Sequence, residues 1–194
     1  MQTLLIATRN KHKTQEIGQM LGSGWEVSDL TSLYNAPEIE ENGETFEANA
    51  TIKALTISRS FTGLVLADDS GLEVDALAGA PGVHSARFAG PDANDASNRR
   101  LLAQKLSMFP SKNFSARFRC VMMLATQGEL LGSFTGSVEG KIILKKRGFE
   151  GFGYDSMFIP NGYTETFGEL QPEIKNSLSH RGRALAQVVE FLRS

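Results

Sequence analysis

Leu64-Val65-Leu66-Ala67-Asp68-Asp69-Ser70-Gly71 sets four apolar residues directly against two adjacent carboxylates. The apolar run Leu64–Ala67 suits a buried strand, and Asp-Asp-Ser-Gly after it favours a turn. Ahead of it, Phe46, Ala50, Ala54 and Ile57 recur at helical spacing, which predicts a helix over Thr45–Ser60 leading into the strand. The N-terminus repeats the alternation in the opposite order. Leu4–Thr8 reads as a strand, and Asn10 caps a helix carrying Ile17, Met20 and Leu21, ended by Gly22. Strand, helix, helix and strand in this arrangement indicate an α/β fold.

Downstream, Ala78–Gly90 reads as an ordered loop rich in glycine and proline, and Asn94–Met108 as a helix. Phe114, Ala116, Phe118 and Cys120 alternate with Ser115, Arg117 and Arg119, the mark of a half-buried strand. Gln127-Gly128 predicts a turn into a strand over Leu130–Val138, making an antiparallel hairpin and a mixed sheet. Ser179 caps a last helix, with Ala184, Leu185, Val188, Val189 and Leu192 as its apolar stripe. Trp25 is expected to pack at the sheet edge. With no repeat and no linker composition, the 194 residues read as one domain.

Composition narrows the partners. Twenty Lys+Arg against 22 Asp+Glu leave a net charge of −2, so no global positive field holds a nucleic acid. The apolar Leu4–Ala7 is too short for a signal-peptide core, and no run is long enough to span a membrane. The single Cys120 forms no internal disulfide, which favours a reducing, cytoplasmic setting.

Several segments carry chemistry. Thr8-Arg9-Asn10-Lys11-His12-Lys13 places cations at a helix N-terminus, where each is unfavourable by roughly 0.3–1 kcal/mol without an anion. A phosphate on the free amides and Lys13, or a solvated basic turn, fits equally. Two carboxylates about 4 Å apart repel by roughly 4 kcal/mol at an effective dielectric near 20, so Asp68-Asp69 invites Mg²⁺ or a raised pKa. An ordinary turn is the other reading. Glu38, Glu40, Glu41 and Glu44 fit a favourable charge before a helix, and one of them can complete a metal site with Asp69. Asn49 and Lys53 are one turn apart on the same helix face. Gly151-Phe152-Gly153-Tyr154-Asp155 fits either a stacking slot with a polar end or a turn with core aromatics. His180 and Arg181 again set positive groups at a helix start, suited to a base edge.

Together, Thr8–Lys13, Glu40-Glu41, Thr45 with Asn49 and Lys53, Ala67–Gly71, Gly79–Gly90, Gly151–Asp155 and Ser179–Leu185 resemble the inosine triphosphate pyrophosphatase family, nearly end to end and in its order. The resemblance implies an elongated, two-lobed α/β fold with a long mixed twisted sheet flanked by helices, an active-site cleft between the lobes, and a homodimer. It implies Mg²⁺-dependent hydrolysis of ITP, dITP and XTP to the monophosphate and pyrophosphate. Thr8, Arg9, Asn10, Lys11, His12 and Lys13 then hold the triphosphate. Glu40 and Asp69 hold the metal, with Asp69 also the proton acceptor and Lys13 and Lys53 neutralising charge. Asn49 and Ser70 contact substrate; Phe152, Gly153, Tyr154, Asp155, Lys175, His180 and Arg181 form the base pocket, with Arg181 the candidate donor to a 6-oxo group. Arg9 departs from the family, many members having glycine there. Rival expectations are a related pyrophosphatase for pyrimidine or modified nucleotides, and a non-catalytic nucleotide-binding module.

Overall fold

The first apolar run forms β1 (Gln2–Ile6), with Leu4, Leu5 and Ile6 buried, in a computed structural model that describes residues 2–193. Asn10 caps α1 (Lys11–Leu21) by accepting from the backbone N–H groups of His12 and Lys13, and Gly22 ends the helix at φ 72°. β2 (Trp25–Asp29) follows as the edge strand, then α2 (Phe46–Ser58), capped by Thr45, and β3 (Leu64–Val74). α3 (Asp95–Leu106) has a capping box between Asn94 and Ser97. β4 (Asn113–Thr126) and β5 (Glu129–Ile143) flank Gln127-Gly128, whose positive φ values of 49° and 83° suit a two-residue reversal. β6 (Phe158–Pro160), α4 (Pro172–Leu178) and α5 (His180–Arg193) complete the order.

The strands form one sheet in the order β2-β1-β3-β4-β5-β6. β1 runs parallel to β2 and β3, whereas β5 and β6 are antiparallel, so the sheet is mixed as the hairpin signal predicts. Two expectations change. β3 does not stop at Ala67 but continues to Val74, which places Asp68, Asp69 and Gly71 inside a strand. The turn preference of Asp-Ser-Gly is overridden because the buried carboxylates find cationic partners, described below. β2, β6 and α4 escape the sequence pattern because five, three and seven residues are too few for a clear periodicity.

The chain divides into two compact units, and β3, β4 and β5 contribute residues to both. One unit comprises residues 1–69, 120–136 and 181–194. Its core joins Leu4 and Ile6 of β1, Ile17 of α1, Leu66 of β3, Cys120, Met122 and Leu124 of β4, and Ala184, Leu185 and Val188 of α5. Trp25 packs at the margin of this cluster, at the edge expected of it. The other unit comprises residues 70–119 and 137–180, with a core of Leu72, Leu102, Leu106, Phe118, Val138, Ile142, Phe158 and Phe167 among others. Phe118, Phe158 and Phe167 interlock, with centroid distances of 4.8 Å from Phe158 to Phe118 and 5.1 Å from Phe158 to Phe167.

Phe158 has no exposed surface and meets aromatic rings on two sides. Phe158→Ala is expected to destabilise the fold by about 3–5 kcal/mol, read as a lower urea midpoint with an unchanged slope.

Candidate active site

β1 lies between its two parallel neighbours, β2 and β3, and the carboxyl ends of such parallel strands are where ligands of open α/β sheets gather. The pairing of β1 with β3 runs to Ile6 opposite Leu66. Beyond it the chain carries Thr8–Lys13 on one side and Asp68-Asp69 on the other.

Within β3, successive side chains point to opposite faces, so the two aspartates do not confront each other as a turn would make them do. Asp68 is buried at 1% exposure. Its Oδ2 accepts from Arg181 Nε at 2.8 Å and from the Cys120 thiol at 3.2 Å, and Lys13 Nζ donates to its Oδ1. Arg181, itself 2% exposed, donates through Nη1 to Glu16 Oε2 at 2.7 Å. Two carboxylates and two cations thus balance inside one unit. Burial alone would raise the Asp68 pKa, but Arg181 and then Lys13 outweigh it and hold the carboxyl well below the usual aspartate range. Burial also pushes the Cys120 thiol well up, with Asp68 adding to the effect.

Asp69 belongs to a different set. Lys53 Nζ bridges Asp69 Oδ1 at 2.8 Å and Glu41 Oε2 at 3.0 Å. Burial raises the Asp69 pKa, the nearby Glu41 charge adds to that, and Lys53 and Lys13 offset only part of it. Glu41, less deeply placed, is held below its ordinary value: burial pushes it up, and Lys53 more than compensates. Lys53 is buried, which favours its neutral form, yet Asp69 and Glu41 hold its pKa above the ordinary value. Asp69 Oδ2 is buried and meets no hydrogen-bond partner among the described residues. Of the acidic cluster it is Glu41 that reaches this set; Glu40 is exposed. Asn49 is buried one turn before Lys53 and accepts the Gly43 N–H at 2.8 Å through Oδ1.

At the α1 start, Lys11 and His12 are exposed and no acidic residue occupies the first turn. Asn10 Oδ1 takes the His12 and Lys13 amides at 3.0 and 3.4 Å, so those two N–H groups are already satisfied by the cap. Asn10 N–H in turn donates to Thr8 Oγ1 at 3.1 Å, and exposed Arg9 donates to the Ala36 carbonyl at 3.2 Å.

The second unit gathers the remaining candidates. Lys175 Nζ donates to Asp155 Oδ2 at 2.6 Å and lies 5.3 Å from the centroid of the Phe152 ring. The same carboxylate oxygen accepts the Phe152 N–H at 2.9 Å, so Phe152, Asp155 and Lys175 form one cluster. A side chain at Gly151, where φ is 73°, would collide with the Asp155 carboxylate. Tyr154 does not join a stacking slot: it is buried in the core and its hydroxyl donates to the Ser85 carbonyl at 2.9 Å. Gly153 N–H donates to Asp95 Oδ2 at 2.6 Å, and Arg99 donates to the Gly153 carbonyl. Asp95, Arg99, Lys146, Phe149, Phe152 and Ser156 line a cavity of about 190 Å³ in this unit. His180 stacks on Phe118 at 4.8 Å and 11°, and Ser70 is half-buried in β3.

Glu16, Ser85, Asp95 and Arg99 are the partners that sequence reasoning does not single out. Glu16 lies three residues after Lys13 on one helix face, which is the only local hint of its role.

A model of the Ham1 family matches residues 4–191, a span that takes in every one of these segments. The chain belongs to the Ham1 family. Among Ham1 relatives, a dITP/XTP pyrophosphatase of Bacillus licheniformis is 44% identical over 193 residues, covering 99% of this chain and 98% of its own. One of Desulforamulus reducens is 47% identical over 191 residues, covering 97% and 94%. A solved HAM1 protein from Coxiella burnetii superposes with a TM-score of 0.87 at 37% identity, covering 100% of this chain and 99% of that one. The resemblance read from the motifs, and the mixed α/β class, are therefore borne out.

The buried charge set makes a testable statement about stability. Arg181→Ala leaves Asp68 and Glu16 without their shared cation and is expected to destabilise by about 3–5 kcal/mol in urea unfolding. Because the folded pKa of Asp68 lies below its unfolded value, its stabilisation is present above the unfolded value of about 4 and is lost as pH falls through the lower folded value. Below about pH 5, Asp68→Asn is therefore expected to flatten the fall in stability with acid.

Proposed function

We infer that this Ham1 protein hydrolyses non-standard purine nucleoside triphosphates, ITP, dITP and XTP, to the monophosphate and pyrophosphate. Near-full-length relatives bearing the name dITP/XTP pyrophosphatase support the substrate class. The observation that carries the chemistry is a pair of carboxylates, Asp69 and Glu41, sharing the ammonium of Lys53, with Asp69 Oδ2 buried and without a hydrogen-bond partner among the described residues.

That pair suits Mg²⁺, which takes one or two carboxylates together with phosphate oxygens and waters. No group of three or more His, Cys, Asp or Glu among the described residues offers a transition-metal cage. Asp69 and Glu41 would hold the ion, which when bound neutralises phosphate charge. The protein's own groups do the rest. Asp69, its pKa raised by burial, accepts a proton from the attacking water at Oδ2. The water oxygen bonds to the α-phosphorus, the bond from that phosphorus to the bridging oxygen breaks, and pyrophosphate leaves. Lys13 and Lys53, each held by an aspartate of β3, offer fixed positive charge to the departing phosphates. Thr8–Lys13 is the proposed triphosphate segment. Phe152, Asp155, Lys175 and His180 are the proposed base-recognition groups. Arg181, engaged by Asp68 and Glu16, acts by fixing that network. We further propose a cytoplasmic homodimer with no nucleic-acid partner, in keeping with the family resemblance, a free buried Cys120 and a net charge of −2. No helix among the described residues is long and apolar enough to cross a membrane.

Incubation with ITP, XTP, dITP, ATP, GTP and dTTP plus Mg²⁺, with pyrophosphate and orthophosphate measured separately, tests this reading. The expected result is pyrophosphate from the first three, abolished by a chelator and restored by Mg²⁺. Orthophosphate as the product, or equal turnover of ATP, would overturn it. Asp69→Asn is expected to lower kcat by about 10²–10⁴-fold while moving KM far less.

A further inference from the structure

Glu41 reaches Lys53 from a stretch with no helix or strand of its own, residues 36–45. A flexible segment would spread a carboxylate over many positions, so something must fix the chain beside it. Two attachments between Glu41 and α2 do so. Thr45 Oγ1 accepts the Ala48 N–H at 3.1 Å and anchors the segment where it enters α2. Two residues after Glu41, the Gly43 N–H donates to Asn49 Oδ1 at 2.8 Å.

This second attachment is closely fitted. A Cβ built on Gly43 would lie 2.7 Å from both Ala48 Cβ and Asn49 Oδ1, and 3.0 Å from the Asn49 nitrogen. The φ of Gly43 is not in the left-handed region, so glycine is required there for space, not for backbone freedom. The residue on the other side, Asn49, has no exposed surface, and its Nδ2 is also buried. Its Nδ2 meets no hydrogen-bond partner among the described residues, whereas its oxygen is committed to the coil that carries Glu41.

The geometry points to Asn49 as a positioning residue that, through Gly43, latches the 40–45 segment onto α2 and so sets the Glu41 carboxylate beside Asp69 for a divalent cation. Through its oxygen Asn49 is a support for the metal carboxylates, and the inference rests on Asp69 and Glu41 being those carboxylates. Lys53, one helical turn further along α2, completes the arrangement, so a single helix carries both the latch and the ammonium that Glu41 meets.

The test is Mn²⁺ binding to nucleotide-free protein, followed by electron paramagnetic resonance, together with the Mg²⁺ dependence of ITP turnover. The proteins compared are wild type, Glu41→Gln, Asn49→Ala, Gly43→Ala and the double variant Glu41→Gln/Asn49→Ala. Asn49→Ala and Gly43→Ala are each expected to weaken Mn²⁺ binding and raise the Mg²⁺ needed for half-maximal turnover by about 10–100-fold, with KM for ITP at saturating Mg²⁺ moving less than about threefold. The double variant should bind Mn²⁺ no more weakly than Glu41→Gln alone, since both changes act through the same carboxylate. Raised KM for ITP in Asn49→Ala with Mn²⁺ affinity unchanged would overturn the latch and make Asn49 a substrate contact. Should Asn49→Ala fail to fold, Gly43→Ala decides alone, because it strains the same contact from the coil side. Wild type that binds no Mn²⁺ and turns over without a divalent ion would overturn the metal reading itself, whereas a loss confined to Glu41→Gln overturns only the latch.

Discussion

Asp68 is a carboxylate buried in the middle of a strand, and much of its unit is arranged to make that tolerable. An isolated buried charge is not sustainable; it neutralises or finds a partner. Asp68 finds Arg181 from the last helix and Lys13 from the first, and Arg181 is balanced in turn by Glu16. Residues 13, 16, 68 and 181, from both ends of the chain and its centre, are thereby fixed to one another. The ends of α1 and α5 that carry positive charge against their own dipoles acquire a reason for it. Their cations are spent, at least in part, on an aspartate.

The neighbouring Asp69 has the opposite economy. Its set brings two carboxylates onto the Lys53 ammonium, and one Asp69 oxygen meets no hydrogen-bond partner among the described residues. The Asp68 network sets two carboxylates against two cations, which suits support. In the Asp69 network two carboxylates meet on the Lys53 ammonium, an arrangement that suits a further cation and a charged ligand. The two differ although the residues are adjacent, because a strand sends consecutive side chains to separate environments.

Much of the fold was legible from periodicity and capping. Asn10, Gly22, Thr45 and Asn94 mark helix ends where they were read, and Gln127-Gly128 makes the reversal expected of it. What escaped was short or depended on tertiary partners. β6 and α4 offer too few residues for a period, and the continuation of β3 through Asp68 and Asp69 runs against local turn preference. The site shows the same division. Residue types and the motifs of the Ham1 family brought out Lys13, Lys53 and Asp69, but which of Glu40 and Glu41 faces Asp69 depends on the path of a coil, about which spacing says nothing. Tyr154 and Arg181 look from the sequence like ligand groups, and the structure gives them a core hydrogen bond and a buried ion pair. A polar atom on a side chain does not announce whether a solute or a backbone will claim it.

Alternation along β3 also constrains how this stretch can vary through descent. Inserting or deleting one residue between Leu64 and Asp68 would exchange the faces of both aspartates at once and part each from its own cationic partner. Length is therefore as tightly specified there as residue identity. Drift can exchange one aliphatic residue of this strand for another, but a frame of odd offset would turn the site inside out.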